Sequence, residues 1–266
     1  MSTLAPLVPN RFLHDSAKEL SASLTRTMRP ATAFAATAVV LTTVAAILLE
    51  AASIGGGLSA VDFPLGKTLL METSVGHAML TELITSVALA TAVVAKSPRL
   101  VVGLAGLMLY QLTSVGHGAG IGIEFVEAVH ILCGCAWLGA LVPFVLALKT
   151  ANLGVPRCDV SAAMRRFSLV GHSAVAGAIT GGLATAGSVA GGRLFGLSFR
   201  YGSVLAIKVI AVGAMAALAV VNRYVLVPRI RTNVRSPLAI NAATEVPLGL
   251  IAIASVALLG IADDPH

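Results

Sequence analysis

The chain has 266 residues, 57% of them hydrophobic and only 11% charged, with a formal net charge of +6. That composition argues against a water-soluble enzyme, and spans of about 20 residues each would use most of the length, leaving no separate soluble domain. The 18 Lys and Arg fall mostly in alternate loops, so the positive charge reads as a topology signal and not as a nucleic-acid surface.

The first 30 residues are polar and mixed in charge, with Arg11, Lys18, Arg26 and Arg29 against Asp15 and Glu19. They are long for the n-region of a signal peptide, and no small-residue cleavage site follows the first apolar run. Residues 1–32 are therefore expected to form a retained cytoplasmic tail, and residues 33–262 an all-α, polytopic transmembrane helical bundle.

About seven apolar segments follow, bounded by Gly, Pro or charge. They lie near Ala33 to Ile54, Thr68 to Val94, Leu100 to Gly118, Ile123 to Leu148, Met164 to Ala190, Gly202 to Pro228 and Leu238 to Ile261. If the N-terminus is inside, fourteen Lys and Arg collect on the cytoplasmic side. Only Lys67, Arg193 and Arg200 face outward, and Lys208 lies within a span. The asymmetry predicts a cytoplasmic N-terminus and a periplasmic C-terminus.

A weak internal echo runs through the bundle: Thr73-Ser-Val-Gly-His77 returns as Thr113-Ser-Val-Gly-His117, and Val170-Gly-His172 repeats its end. A Gly beside a His lets a neighbouring helix come close, so that the imidazole can point into the bundle. Counting inward at ~1.5 Å per residue, Glu72, Glu127, His130 and Lys208 lie roughly 6 to 12 Å below the outer ends of their spans, with His77 slightly deeper. His117 sits near the outer rim.

The fourth span concentrates the chemistry. It reads EFVEAVHILCGCAWLGALVP, and Glu127, His130 and Cys133 fall at i, i+3 and i+6, with Trp137 seven residues beyond His130. That spacing places them along one helix face. Imidazole, carboxylate, thiolate and thioether are all transition-metal ligands, and the soft sulfurs favour Cu(I). The outer groups thus form a candidate metal site: His77 and His130 as ligands, with His117, Met79 or Cys133 assisting and Glu72, Glu127 and Lys208 setting the local charge. Cys135 diverges from Cys133 by about 200° and reads as packing. Trp137 is either packing or a wall of the site.

His172, Glu82 and Glu245 lie towards the inner half. The structural reading pairs Glu82 and Glu245 with Arg223 or Arg166. The functional reading makes His172 and Glu245 polar stations of an inward path.

The segments VHILCGCAWLGALVPF, RFSLVGH, YGSVLAIKVIAVGAMAALAVVNRYVLVPRI and ATEVPLGLIAIASVALLGIADDP together resemble the CopD family of bacterial copper-resistance membrane proteins. The resemblance covers roughly Leu65 to Pro265. Its specific elements are His130 to Trp137-Leu-Gly, Tyr201-Gly with Lys208, and Asn222-Arg223 with Pro228. Two features depart from the family: Trp137-Leu-Gly-Ala-Leu141 stands where members often have Trp-x-Gly-Gly-Leu, and seven segments are found where many members have eight.

The resemblance implies copper handling in the bacterial inner membrane, with movement from periplasm towards cytoplasm and a small periplasmic CopC-like protein as donor. No nucleotide-binding motif suggests direct ATP coupling, and the protein is expected to be a carrier, not an enzyme. The alternative from another class is a b-type haem electron-transfer protein with His77 and His130 as axial ligands. A non-transporting assembly or sensor protein would need no ligand at all.

Overall fold

The computed structural model describes residues 10–114, 123–151, 157–189, 199–227 and 235–259. Among these the chain is helical throughout, with no strand: α1 (Asn10–Gly55), α2 (Phe63–Glu72), α3 (Ser74–Val94), α4 (Pro98–Gln111), α5 (Glu124–Ala151), α6 (Arg157–Val189), α7 (Phe199–Val221) and α8 (Arg235–Leu259). An all-helical solution is what hydrocarbon demands, because each backbone N–H and C=O must find its partner within the segment.

Five segments of the described residues are long and apolar enough to cross a membrane: Ala22–Gly55, Ser74–Val94, Glu124–Leu146, Phe199–Leu226 and Pro237–Leu259. The 14 residues of α4 rise only about 21 Å, short of a hydrocarbon core of about 30 Å. The 33 residues of α6 are long enough to cross, and the part that follows Arg166 carries no Asp, Glu, Lys or Arg.

The first helix, α1, runs from Asn10 through Pro30 to Gly55. The expected second span, Thr68 to Val94, is broken at Thr73 into α2 and α3. Thr73 is extended (φ −115°, ψ 148°); its Oγ1 accepts from Gly76 N at 2.9 Å and donates to Leu69 O at 2.7 Å. One hydroxyl thus caps the N-terminus of α3 and satisfies a carbonyl that the end of α2 would leave without a partner.

The described residues fall into two compact units, with the boundary inside α5: Met28–Leu132 form one, and the chain from Cys133 onward, with the start of α1, the other. In the first unit α2 packs on α3 and α3 on α4. Asp62 caps α2 by accepting from Leu65 N at 2.9 Å, with Pro64 in the first turn, where its missing N–H costs nothing. Gly76 is buried, and a Cβ there would run into the backbone of Leu69 and Leu70. Polar groups join the helices: Gln111 Nε2 donates to Thr85 Oγ1 at 3.1 Å, and Thr43 Oγ1 to Glu82 Oε1 at 3.3 Å.

The second unit is built around Trp137, Leu141 and Val145 of α5, Ala174 and Ala178 of α6, Met215 of α7 and Ala242 of α8. Small residues on two of the four helices let the backbones approach, the usual basis of helix association where lipid is as apolar as the side chains. At Gly249 a Cβ would lie 2.5 Å from Leu138 Cδ1, so this glycine seats the leucine against α8. After Val221, α7 widens into a π-turn, Asn222–Leu226, in which Val227 N–H reaches back to Asn222 O. In sequence the next residue is Pro228, which has no N–H with which to continue an α-helical ladder.

Candidate functional site

The residues of the expected outer cluster divide between the two units. Glu72, His77, Met79, Glu127 and His130 belong to Met28–Leu132, whereas Cys133 and Lys208 belong to the other unit. His117 lies outside the described residues. Among the described residues no three His, Cys, Asp or Glu side chains come together closely enough to hold a metal ion; that set does not include the thioether of Met79.

Local geometry nevertheless orients His77. The break at Thr73 puts the imidazole in the first turn of α3, where its Nε2 meets Met71 O at 3.0 Å. A carbonyl can only accept, so Nε2 is the donor in this bond, which leaves Nδ1 as the nitrogen available to a ligand. Glu127 lies in the first turn of α5, where a carboxylate complements the positive end of the helix dipole; its Oε2 is buried with no hydrogen-bond partner among the described residues. Glu72 is exposed at the end of α2, and Met79 and His130 are half-buried.

The second unit contains a cavity of about 360 Å³, lined mostly by apolar side chains of α5 to α8 together with Trp137, His172, Asn222, Arg223 and Glu245. Glu245 is only 1% exposed. Its carboxylate accepts from Asn222 Nδ2 at 2.7 Å and from the side chain of Trp137. Among the described residues Glu82 is instead bonded to Thr43. Among the described residues the partners of Glu82 and Glu245 are thus neutral donors and not Arg223, which lines the same cavity as Glu245; the side chain of Arg166 lies outside the described residues. Trp137 is both core and wall. His172 also lines the cavity, its ring edge-on to Tyr224 with centroids 6.2 Å apart and planes at 89°.

Asn222 is the residue that sequence reasoning passed over, quoting it only as part of a motif. An asparagine in an apolar run, six residues before a proline, was the available signal. The π-turn places it against α8, where it lies 23 residues in sequence from the glutamate it binds. Such turns recur at functional positions of helices.

Membrane-length helices enclosing a buried carboxylate define a multi-pass membrane protein. Residues 4–123 match the copper resistance protein D-like, N-terminal domain family, and residues 161–259 match the copper resistance protein D family. The inner membrane protein YebZ of Escherichia coli (strain K12) is 30% identical over 200 residues, which is 71% of this chain and 68% of that protein. No solved structure matches. The chain belongs to the copper resistance protein D family and is a multi-pass inner-membrane protein. Similarity reaches well before Leu65, so the N-terminal helix is part of the family relationship, contrary to the narrower resemblance. Nothing in these relationships supports the haem alternative.

Proposed function

We propose that this protein binds copper in the outer half of a seven-span bundle, with N-terminus inside and C-terminus outside, and passes it from periplasm towards cytoplasm. The cargo is Cu(I), delivered by a periplasmic CopC-like protein, and the chain acts as a carrier and not as an enzyme. His77 and His130 are the primary ligands, His117, Met79 and Cys133 complete the set, and Glu72, Glu127 and Lys208 tune its charge. His172 and Glu245 line the inward route.

The observation that supports this reading best is the hydrogen bond from His77 Nε2 to Met71 O. Metal-binding imidazoles commonly donate their second nitrogen to a backbone carbonyl, which fixes the tautomer and ring orientation and raises the basicity of the other nitrogen. Family membership supplies the metal, and soft sulfur at Met79 and Cys133 suits its reduced state.

The test is metal analysis and an optical spectrum of purified protein. Copper should co-purify or reconstitute without a Soret band, and His77→Ala or His130→Ala should lower copper bound per chain. Unchanged stoichiometry in both variants would remove the histidines from the site, and a stoichiometric haem spectrum would overturn the copper reading.

A further inference from the structure

The second unit's cavity contains an asymmetry in hydrogen bonding that copper ligation leaves unexplained. Asn222 is 9% exposed and Glu245 1% exposed. The asparagine gives Nδ2–H to the carboxylate at 2.7 Å, but its own Oδ1 is buried with no hydrogen-bond partner among the described residues. A buried acceptor left unmet is uncommon and calls for a physical reason. Among the described residues Glu245 likewise has no ammonium or guanidinium as a hydrogen-bond partner, its partners being neutral side chains from α5 and the π-turn. A carboxylate shut away from water is ordinarily matched by a full opposite charge.

The two anomalies have one solution. An ionised carboxylate is acceptor-only and uses Nδ2–H, as observed; a protonated carboxyl has an O–H to give and needs an acceptor. A half-turn of the Asn222 amide exchanges Nδ2 for Oδ1 and presents the acceptor now lacking a partner to that O–H. Trp137, a donor only, can serve the remaining oxygen in either state. The amide can therefore offer a donor to the carboxylate or an acceptor to the protonated carboxyl without moving a helix.

The geometry points to Glu245 as a reversible proton-binding site, with Asn222 as the positioning residue that accommodates its two forms. The step is a simple protonation: the carboxylate takes a proton from water reaching the cavity and later returns it, and no bond other than O–H forms or breaks. Among the described residues, the titratable and charged groups that line the cavity with it are His172 from α6 and Arg223 from the π-turn; α5 and α7 add none there, and α8 none but Glu245 itself. Among the described residues the wall carries no sulfur ligand, and its carboxylate is held by neutral donors, so the proton is an ion that its chemistry suits. Where the copper reading of the preceding subsection also holds, on which this last step rests, proton exchange at Glu245 is the natural counter-reaction to copper movement.

The experiment is pH-difference infrared spectroscopy of the purified full-length protein in lipid nanodiscs, with metal analysis of the same samples. Acidification should raise a carbonyl band of a dry protonated carboxylic acid, sensitive to deuterium exchange and absent in Glu245→Gln. Gln keeps the size and one acceptor of the native residue. Asn222→Leu, which neither donates nor accepts, should displace the midpoint of that band by about tenfold in proton concentration. Identical difference spectra for the native protein and Glu245→Gln would overturn the proton site, and an unmoved midpoint in Asn222→Leu would overturn the role of the asparagine. Adding Cu(I) should change the band. A band indifferent to copper that metal analysis shows to be bound would overturn the coupling alone, whereas failure to bind copper at all would overturn the transport reading and leave the proton site standing on its own spectrum.

Discussion

Replacing Gly76 with alanine tests the break in α2–α3 that sets the position of His77. Two effects oppose each other. Alanine is favoured over glycine inside a helix by about 1 kcal/mol, and Gly76 carries no left-handed backbone angle that would penalise a side chain. Against this, the new Cβ would occupy the space of the Leu69 carbonyl and approach Leu70 Cα. Those are backbone atoms, held by the Thr73 bonds on either side of the break, and cannot rotate away as a side-chain tip could. Overpacking costs about 1–3 kcal/mol where side chains can adjust, so contact with backbone belongs at the upper end. The net expectation is a loss of about 2 kcal/mol, on the order of thirtyfold in the folding equilibrium. Gly66, in α2, is the matched control: a Cβ there meets nothing within 4 Å, so Gly66→Ala should keep or gain stability. Denaturation in mixed micelles, followed by helical circular dichroism, would measure both. Gly76→Ala as stable as Gly66→Ala would refute the close packing of α2 on α3 and with it the placement of the His77 ring.

Glu245→Ala leaves Asn222 Nδ2 and the Trp137 indole without their acceptor, and each buried donor left unpaired costs about 1–3 kcal/mol; the same micelle titration should show it clearly less stable than Glu245→Gln, and equal losses would mean the two bonds contribute little. For the proposed orientation, Cys158 in intact cells should stay unlabelled by a membrane-impermeant thiol reagent, while Ser198→Cys should label. Labelling of Cys158 before permeabilisation would reverse the topology and the direction assigned to the copper path.

Much of the architecture was legible because hydrocarbon leaves few choices: long apolar runs free of charge become helices. The break at Thr73 was harder to see, since Thr68 to Val94 is continuously apolar and the interruption is a single capping hydroxyl followed three residues later by a buried glycine. In retrospect Thr-Ser-x-Gly is the local signal, and the echo at Thr113 was read as a histidine motif instead of a cap. The partners of Glu245 were missed for a different reason. Charge complementarity suggested Arg223, one position along from the true partner; on an α-helix adjacent residues point about 100° apart. The π-turn, invisible in composition, sets which of the two faces α8.

The hydroxyl residues explain why so few polar contacts define the tertiary structure. Thr81, Thr85 and Thr91 in α3, Thr180 in α6, Ser203 in α7 and Thr244 and Ser255 in α8 each donate to the carbonyl four residues earlier, at 2.7 to 2.9 Å. A hydroxyl satisfied within its own helix can face lipid or protein alike, and it specifies no neighbour. Asn222, Glu245 and Gln111 have no such local outlet in the observed bonding, and each reaches to another helical segment for a partner. Amides and carboxylates are thus the groups that fix which helices pair and in what register, because misplacing them leaves a polar atom unmet in hydrocarbon. Asn222 Oδ1, beside a carboxylate and without a hydrogen-bond partner among the described residues, is then informative for the same reason: it marks a place where a second protonation state would find one.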